Sequence, residues 1–256
     1  MSALTRDVAD RWITRWDRQQ EGFLPDREER FTALIDAVAA GVGRPDPLVL
    51  DLGCGPGSLS ARLLDRLPQA RVIAIDTDPL LLSLGRALHA GRDSLTFADL
   101  DLRVPGWAAR LRLDREVDAA VSTTALHWIS EAELRVTYGE LATVMRPGGL
   151  FLNGDNFSAE DATPVIARLD RALQELETER RFAGNRPEGW RQWWDAAAAD
   201  PVLGGLKEAR DASAAGHHGS ESGLLSTHVR VLRETGFGEV GPLWQHGDNR
   251  ILCAVR

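Results

Sequence analysis

Three glycines at alternate positions, Gly53, Gly55 and Gly57, follow an apolar run, Leu48 to Leu52, that contains a single acid, Asp51. A loop that crosses close over a ligand must do without Cβ atoms, because side chains would fill the ligand's volume. Asp76 closes a second apolar run, Val72 to Ile75, and Asp99 closes a third, Leu95 to Ala98. A carboxylate ending a strand beside such a loop accepts hydrogen bonds from both hydroxyls of a ribose, and Asp99 falls one strand further across, where an adenine would lie. The spacing is GxGxG, not the GxGxxG of dinucleotide-binding dehydrogenases, because Ser58 stands where the third glycine of that fingerprint belongs.

Histidines form the second group. His127, in Ala125-Leu126-His127-Trp128, follows a fourth apolar run, Val117 to Val121. It is a candidate general base or substrate donor; the alternative is a packed or capping histidine just ahead of Ser130. His217 and His218, between Gly216 and Gly219 in a loop that also holds Glu221, read as a catalytic base, a pH-sensitive latch or plain surface. Trp190, Trp193 and Trp194 share one helix face at i, i+3 and i+4, either as a core stripe or as an aromatic wall facing substrate. Arg180, Arg181, Arg186 and Arg191 flank them, as a carboxylate clamp or a solvated face.

The elements needed to position these residues are legible. The spacing predicts helices over the first forty residues, with Trp12 and Trp16 one turn apart and Phe31, Leu34, Ile35 and Val38 on one stripe. Ser58 caps a helix from Leu59 to Leu67, and Asp78 caps another that starts at Pro79 and stops at Gly91. Ser130 and Glu133 form a capping box for a helix reaching about Met145. Arg146-Pro147-Gly148-Gly149 reads as a turn into a fifth strand, Leu150 to Asn153. A helix from Leu224 to Thr235 and a hairpin, Glu239 to Gln245 with Arg250 to Val255, complete the chain. Short continuous apolar strands alternating with helices predict a parallel sheet covered on both faces.

Composition bounds the remainder. Lys and Arg number 30 against 38 Asp and Glu in 256 residues, a net charge of −8 with no dense basic run, which argues against nucleic acid as a partner. No apolar run approaches the roughly 20 residues of a bilayer span, and the amino-terminal stretch is charged and Trp-bearing, unlike a signal peptide. The two cysteines, Cys54 and Cys253, make neither a CxxC pair nor a zinc spacing. These features predict a cytoplasmic protein without a membrane partner. Eight Trp against one Tyr is the unusual feature of the composition.

Taken in order, Asp51-Leu52-Gly53-Cys54-Gly55-Pro56-Gly57, Asp76, Asp99, Arg146-Pro147-Gly148-Gly149-Leu150, and the closing Gly236-Phe237 and hairpin resemble the class I S-adenosylmethionine-dependent methyltransferases. The resemblance covers nearly all the chain except 156–222. It implies a Rossmann-like, doubly wound, mostly parallel seven-stranded sheet with an antiparallel last strand and a helical lid insertion. It also implies S-adenosylmethionine as cofactor and S-adenosylhomocysteine as product. Asp76 would hold the ribose hydroxyls and Asp99 the adenine amine, with the Leu100 backbone N–H beside it. Gly53, Gly55 and Gly57 would border the methionine moiety, and Asp51, Cys54, Thr77 and Thr123 would complete the cofactor residues. The segment around His127 is similar to trans-aconitate and malonyl-carrier carboxyl methyltransferases. Two specialised groups are disfavoured. Ser122-Thr123-Thr124-Ala125 stands where amino-group enzymes carry Asn/Asp-Pro-Pro-Tyr, and Ser122 replaces the first acid of the metal-dependent type although Asp155-Asn156 matches its second half. No metal is expected.

These readings divide the chain into a helical cap at 1–44, a cofactor-binding core at 45–155 and 223–256, and a substrate lid at 156–222. The expected activity is methyl transfer to an O, N or C nucleophile of a small molecule, in a monomer or homodimer. The alternatives are carboxyl methylation of a small acid and a catalytically silent cofactor-binding or partner protein.

Overall fold

The computed structural model describes residues 3–157, 163–213 and 223–256. Five strands run parallel: β1 (Leu48–Leu52), β2 (Arg71–Asp76), β3 (Leu95–Asp99), β4 (Val117–Thr123) and β5 (Met145–Asn156). β6 (Glu239–His246) and β7 (Asn249–Val255) close the chain, and β7 is antiparallel to both of its neighbours, β5 and β6. The order is β3-β2-β1-β4-β5-β7-β6, which reverses direction between β1 and β4. Ligands of open α/β sheets bind at that switch point, beyond the carboxyl ends of the strands.

Every residue of β1 is buried because both faces of the sheet are covered. Leu48, Leu50 and Leu52 enter one core with helices α5 (Trp107–Arg110), α6 (Glu131–Val144) and α10 (Leu225–Glu234). Val49 enters the opposite core, with α2 (Arg27–Gly41), α3 (Ser58–Arg66) and α4 (Pro79–Leu88). α2 is thus part of the sheet's own packing: Phe31, Leu34, Ile35 and Val38, the stripe read from spacing, press onto β-strand residues such as Val121 and Leu152. Ser130 and Glu133 form the expected capping box at the start of α6.

The expected turn at Arg146–Gly149 lies inside β5. Val117 pairs with Met145 and Ala119 with Leu150, so the four intervening residues bulge out of the ladder. Gly149 permits this, since a Cβ there would stand 2.9 Å from the Arg146 carbonyl oxygen. Arg146 anchors the bulge through Asp118, at 2.9 Å, and the Val42 carbonyl, at 2.9 Å.

A third core lies above the strand ends. α1 (Arg6–Glu21) and α8 (Trp190–Ala199) pack through Trp12, Trp16, Trp193 and Trp194 onto Leu80, Leu81 and Leu84 of α4. Trp193 contacts Trp12, Trp16 and Trp194 edge-on, with ring centroids 5.4, 5.0 and 4.9 Å away. α9 (Gly204–Ala212) returns to α4, where Arg210 bonds Asp78 at 2.6 Å and covers the Trp194 ring at 4.0 Å. α7 (Pro164–Phe182) precedes this cluster and lies over the same end of the sheet, with Gln174 donating to the Phe23 carbonyl at 3.3 Å. No helix among the described residues is long and apolar enough to cross a membrane.

Candidate functional site

A cavity of about 720 Å³ opens between the strand ends and this helical roof. Its floor is the glycine loop, the end of β2 and the segment after β4. Gly53, Gly55 and Gly57 all have positive φ, the backbone region L side chains avoid. A Cβ on Gly53 would stand 2.4 Å from that of Ala125, so only glycine lets the loop and the post-β4 segment approach each other. Gly53, Cys54 and Gly55 face the cavity; Gly57 is turned away against Phe97 and serves the loop's turn into α3.

Asp76 lies at the cavity edge, where its carboxylate accepts backbone N–H bonds from Gly55 (2.7 Å), Thr77 (2.7 Å) and Asp78 (2.9 Å). These bonds fix the carboxylate against the loop, while burial holds its pKa above the ordinary value. Thr77 and Thr123 also line the cavity. Three other expected cofactor residues sit differently. Asp51 is buried beneath the loop, accepting the Ser60 hydroxyl at 2.6 Å, and burial pushes its pKa to about 7. Asp99 pairs in register with Asp76, but its side chain is exposed and outside the cavity lining, where Asp101 appears instead. Leu100 lines the cavity, yet its N–H is already donated to the Asp76 carbonyl at 3.1 Å.

On the far side of the loop the chain leaves β4 through Thr124, whose φ of 48° is a strained conformation for a β-branched residue. The Thr124 N–H donates to the Gly154 carbonyl at 3.0 Å and pins this turn to β5. A single 3-10 turn, Leu126–Trp128, follows and carries His127 into the cavity wall. Nδ1 of His127 lies 2.8 and 3.0 Å from the two oxygens of Asp155, which is almost fully buried. Burial pushes the Asp155 pKa up, but His127 and then Arg30 outweigh it, so the carboxyl stays below its ordinary value and ionised. This leaves Nε2 as the ring nitrogen free of Asp155. Of the Asp155-Asn156 pair, which matched half of a metal pattern, Asp155 is thus engaged with His127 and Asn156 with Asp248, and no cluster of three or more metal-type ligands occurs among the described residues.

Sequence reasoning missed Arg30. It is fully buried, donates to Thr123 at 2.8 Å and to Asn249 at 2.8 Å, and burial lowers its pKa to about 10, leaving it charged at neutral pH. Asn249 in turn donates to Asp26 at 2.8 Å. The signal was present: Arg27 and Arg30 interrupt the apolar stripe that runs through Phe31 and Leu34. Arg27 lines the cavity, tied to Asp17 at 3.0 Å, as does Arg103, tied to Asp101 at 2.8 Å. Gln20, Asn156, Gln174 and Asp248 complete the polar lining, with Phe23 beside Gln174 and Asn156 donating to Asp248 at 3.1 Å. Trp16, Trp190 and Trp194 line the roof while Trp193 is wholly buried, so the tryptophan stripe is both core and cavity wall. Of the flanking arginines, Arg186 pairs with Glu179 at the surface and none of the four lines the cavity. His217, His218 and Glu221 lie outside the described residues.

Residues 49–149 match the family described as "Methyltransferase domain". Trans-aconitate 2-methyltransferase of Azoarcus sp. strain BH72 is 32% identical over 135 residues, covering 53% of this chain and 48% of that protein. The enzyme of the same name from Mycobacterium ulcerans is 35% identical over 127 residues, covering 49% and 42%. The chain therefore spans about half the length of these relatives or less. Among solved structures, human N-acetylserotonin methyltransferase in complex with SAM superposes with a TM-score of 0.55 at 15% identity, covering 94% of this chain and 57% of that one. An O-methyltransferase family protein from Burkholderia thailandensis gives 0.54 at 18% identity, covering 100% and 64%. These likenesses establish a Rossmann-like fold shared with methyltransferases.

Proposed function

We propose that this chain, whose residues 49–149 carry a methyltransferase domain, transfers a methyl group from S-adenosylmethionine to a small-molecule nucleophile. The observation that carries this reading is the single cavity that holds the bare glycine loop and Asp76 at one end and the His127–Asp155 pair at the other. The residues fit the cofactor. The loop presents backbone where Cβ atoms would intrude, and Asp76, already fixed by three N–H bonds, keeps one acceptor site, on Oδ2, for a ribose hydroxyl. Asp101 and Leu102, which follow the end of β3, line the same cavity as Thr77.

Bound there, S-adenosylmethionine supplies the electrophilic methyl of a sulfonium. The chain's own residues orient the acceptor, exclude water and take up its proton. Asp155 accepts a hydrogen bond from Nδ1–H of His127, which fixes the tautomer and leaves the Nε2 lone pair to receive a proton from an acceptor hydroxyl or N–H. Trp16, Trp190 and Trp194 keep water from the roof side.

A second reading, carboxyl methylation of a small acid, draws on the name of the relatives. The cations lining the cavity, Arg27 and Arg103, are both engaged with carboxylates of this chain, so that reading asks them to exchange partners. A carboxylate nucleophile would also need no base, and this separates the two. His127→Ala lowers kcat by about 10²–10⁴-fold for a protic acceptor and by less than about threefold for a carboxylate. S-adenosylhomocysteine affinity, read by calorimetry, stays within about threefold in either case. Failure of the wild-type chain to bind S-adenosylhomocysteine would overturn both readings.

A further inference from the structure

The acids that line the cavity are engaged one by one. Asp155 holds His127, Asp101 holds Arg103 and Asp78 holds Arg210. Asp76 accepts three backbone N–H groups of the floor. Asp248, in the turn between β6 and β7, is different. Among the described residues the only side chain that bonds its carboxylate is the neutral amide of Asn156, at 3.1 Å. A second carboxylate faces it in place of a cation. Asp170, on the inner side of α7 one turn before Gln174, reaches the same hairpin turn, where a Cβ on Gly247 would stand 3.9 Å from its Oδ1. Burial, and after it the charge of Asp170, hold the Asp248 pKa above its ordinary value; the Asn156 bond and Arg250 offset this only in part. Two acids without a counter-charge at a cavity wall leave a place for a positive group of a ligand. They are too few for a metal, since no group of three or more metal-type ligands occurs among the described residues.

The fold ties this place to the proposed chemistry. Asp155 and Asn156 are consecutive at the end of β5; the first holds His127 and the second holds Asp248. Phe23, 55% exposed, lines the cavity beside Gln174 and adds an aromatic ring, which attracts a cation. Resting on the methyl-transfer reading, we propose that the acceptor carries an ammonium group, which Asp248 holds while a separate hydroxyl or N–H of the same molecule reaches Nε2 of His127. The ammonium is the handle and not the nucleophile, because a protonated amine has no lone pair with which to attack the methyl. The tryptophans of the roof suit an aromatic body for this molecule. An anionic acceptor meets repulsion from the same two acids, so the cavity selects against a carboxylate.

Titration calorimetry with three probes of one shape and different charge tests this: tyramine, its carboxylate counterpart phloretate, and uncharged para-ethylphenol. Each is added to the full chain saturated with S-adenosylhomocysteine. Tyramine is expected to bind at least about tenfold more tightly than phloretate, with para-ethylphenol between them. Asp248→Asn keeps an oxygen for Asn156 but loses the charge, and should bring tyramine and phloretate within about threefold of each other. S-adenosylhomocysteine affinity in that variant stays within about threefold of wild type, which shows that the fold and the floor are intact. Phloretate binding as tightly as tyramine, no tyramine binding at about 10 mM, or a preference that survives in Asp248→Asn overturns the proposal. Any of these in a chain that binds S-adenosylhomocysteine removes the ammonium handle alone, whereas a wild-type chain that does not bind S-adenosylhomocysteine overturns the methyl-transfer reading beneath it.

Discussion

The floor and the roof of the cavity are built on different principles. The floor is backbone: glycines at positive φ, strand ends in fixed register, and a carboxylate held by three N–H groups. The roof is side chain: tryptophans of α1 and α8 stacked edge-on over α4, tied down by Arg210–Asp78 and by Asp17 with Ser58 and Arg62. A backbone floor can tolerate little variation and suits a ligand common to many enzymes. A side-chain roof is re-cut by substitution without disturbing the sheet, and suits an acceptor that differs from one enzyme to another. If this division holds, substitutions in the roof and in the floor should be separable in what they damage.

The largest expected effect is in the roof. Trp193 is completely buried among three other tryptophans, so Trp193→Ala leaves a cavity costing about 3–5 kcal/mol. For a chain of this length that lowers Tm by about 10 °C in calorimetry. Affinity for S-adenosylhomocysteine at 20 °C should remain within about threefold. Loss of binding in the variant while it is still folded would mean that the roof is part of the cofactor site.

Beneath the floor, Asp51 gives a pH signature. Its folded pKa of about 7 exceeds the unfolded value of about 3.9, so the folded state holds the extra proton between those values. Its contribution to stability is fully present below about pH 4, declines as pH rises toward 7 and is lost above that, a difference on the order of 4 kcal/mol. Asp51→Asn removes that slope. The measurement is the Tm difference between variant and wild type from pH 4.5 to 8, which should move in the variant's favour as pH rises. A flat difference would place the acid as a carboxylate throughout.

Asp76→Ala strips the carboxylate from the cavity edge and is expected to weaken S-adenosylhomocysteine about 100-fold, or about 2.7 kcal/mol. Asp76→Asn, which keeps one acceptor oxygen for the backbone, should lose about tenfold. Titration calorimetry of both variants reads this directly, and unchanged affinity in the alanine variant would remove Asp76 from the ribose.

Legibility in the sequence follows the same division. The parallel sheet, the glycine loop, Asp76 and the caps at Ser130 and Asp78 were readable because each rests on local chemistry: a missing Cβ, a strand end, a side chain reaching an N–H three residues on. Asp99 ends β3 in register with Asp76, yet its side chain is exposed and outside the cavity lining, where Asp101 two residues on appears. The end of a strand does not say how far the following loop folds back over the floor. The Asp155 partner of His127 lies 28 positions away, and only the bulged register of β5 brings the two together. Arg30 needed the hairpin residue Asn249, 219 positions on, to make sense. Nothing local in α7 says which side of an amphipathic helix will face the protein, and here the polar side does.

The smallest expected effect falls on the seam between the two regions. Arg210 reaches from α9 to Asp78, which at the same time caps α4 by accepting from the Leu80 and Leu81 N–H groups. Asp78 adjoins Thr77 in the cavity lining, so this pair couples α9 of the roof to the floor, as Asp17 of α1 does through Ser58 and Arg62 of α3. Arg210→Ala removes a partly buried charge-assisted bond and its cation–π contact with Trp194, at a cost of about 1 kcal/mol, because Asp78 retains its two backbone donors. Hydrogen exchange should show faster amide exchange in α9 with β1, β2 and α3 unchanged, and S-adenosylhomocysteine should bind within about threefold of wild type. A tenfold or greater loss of affinity would show that the seam transmits, and that floor and roof must be treated as one binding unit closed by Arg210.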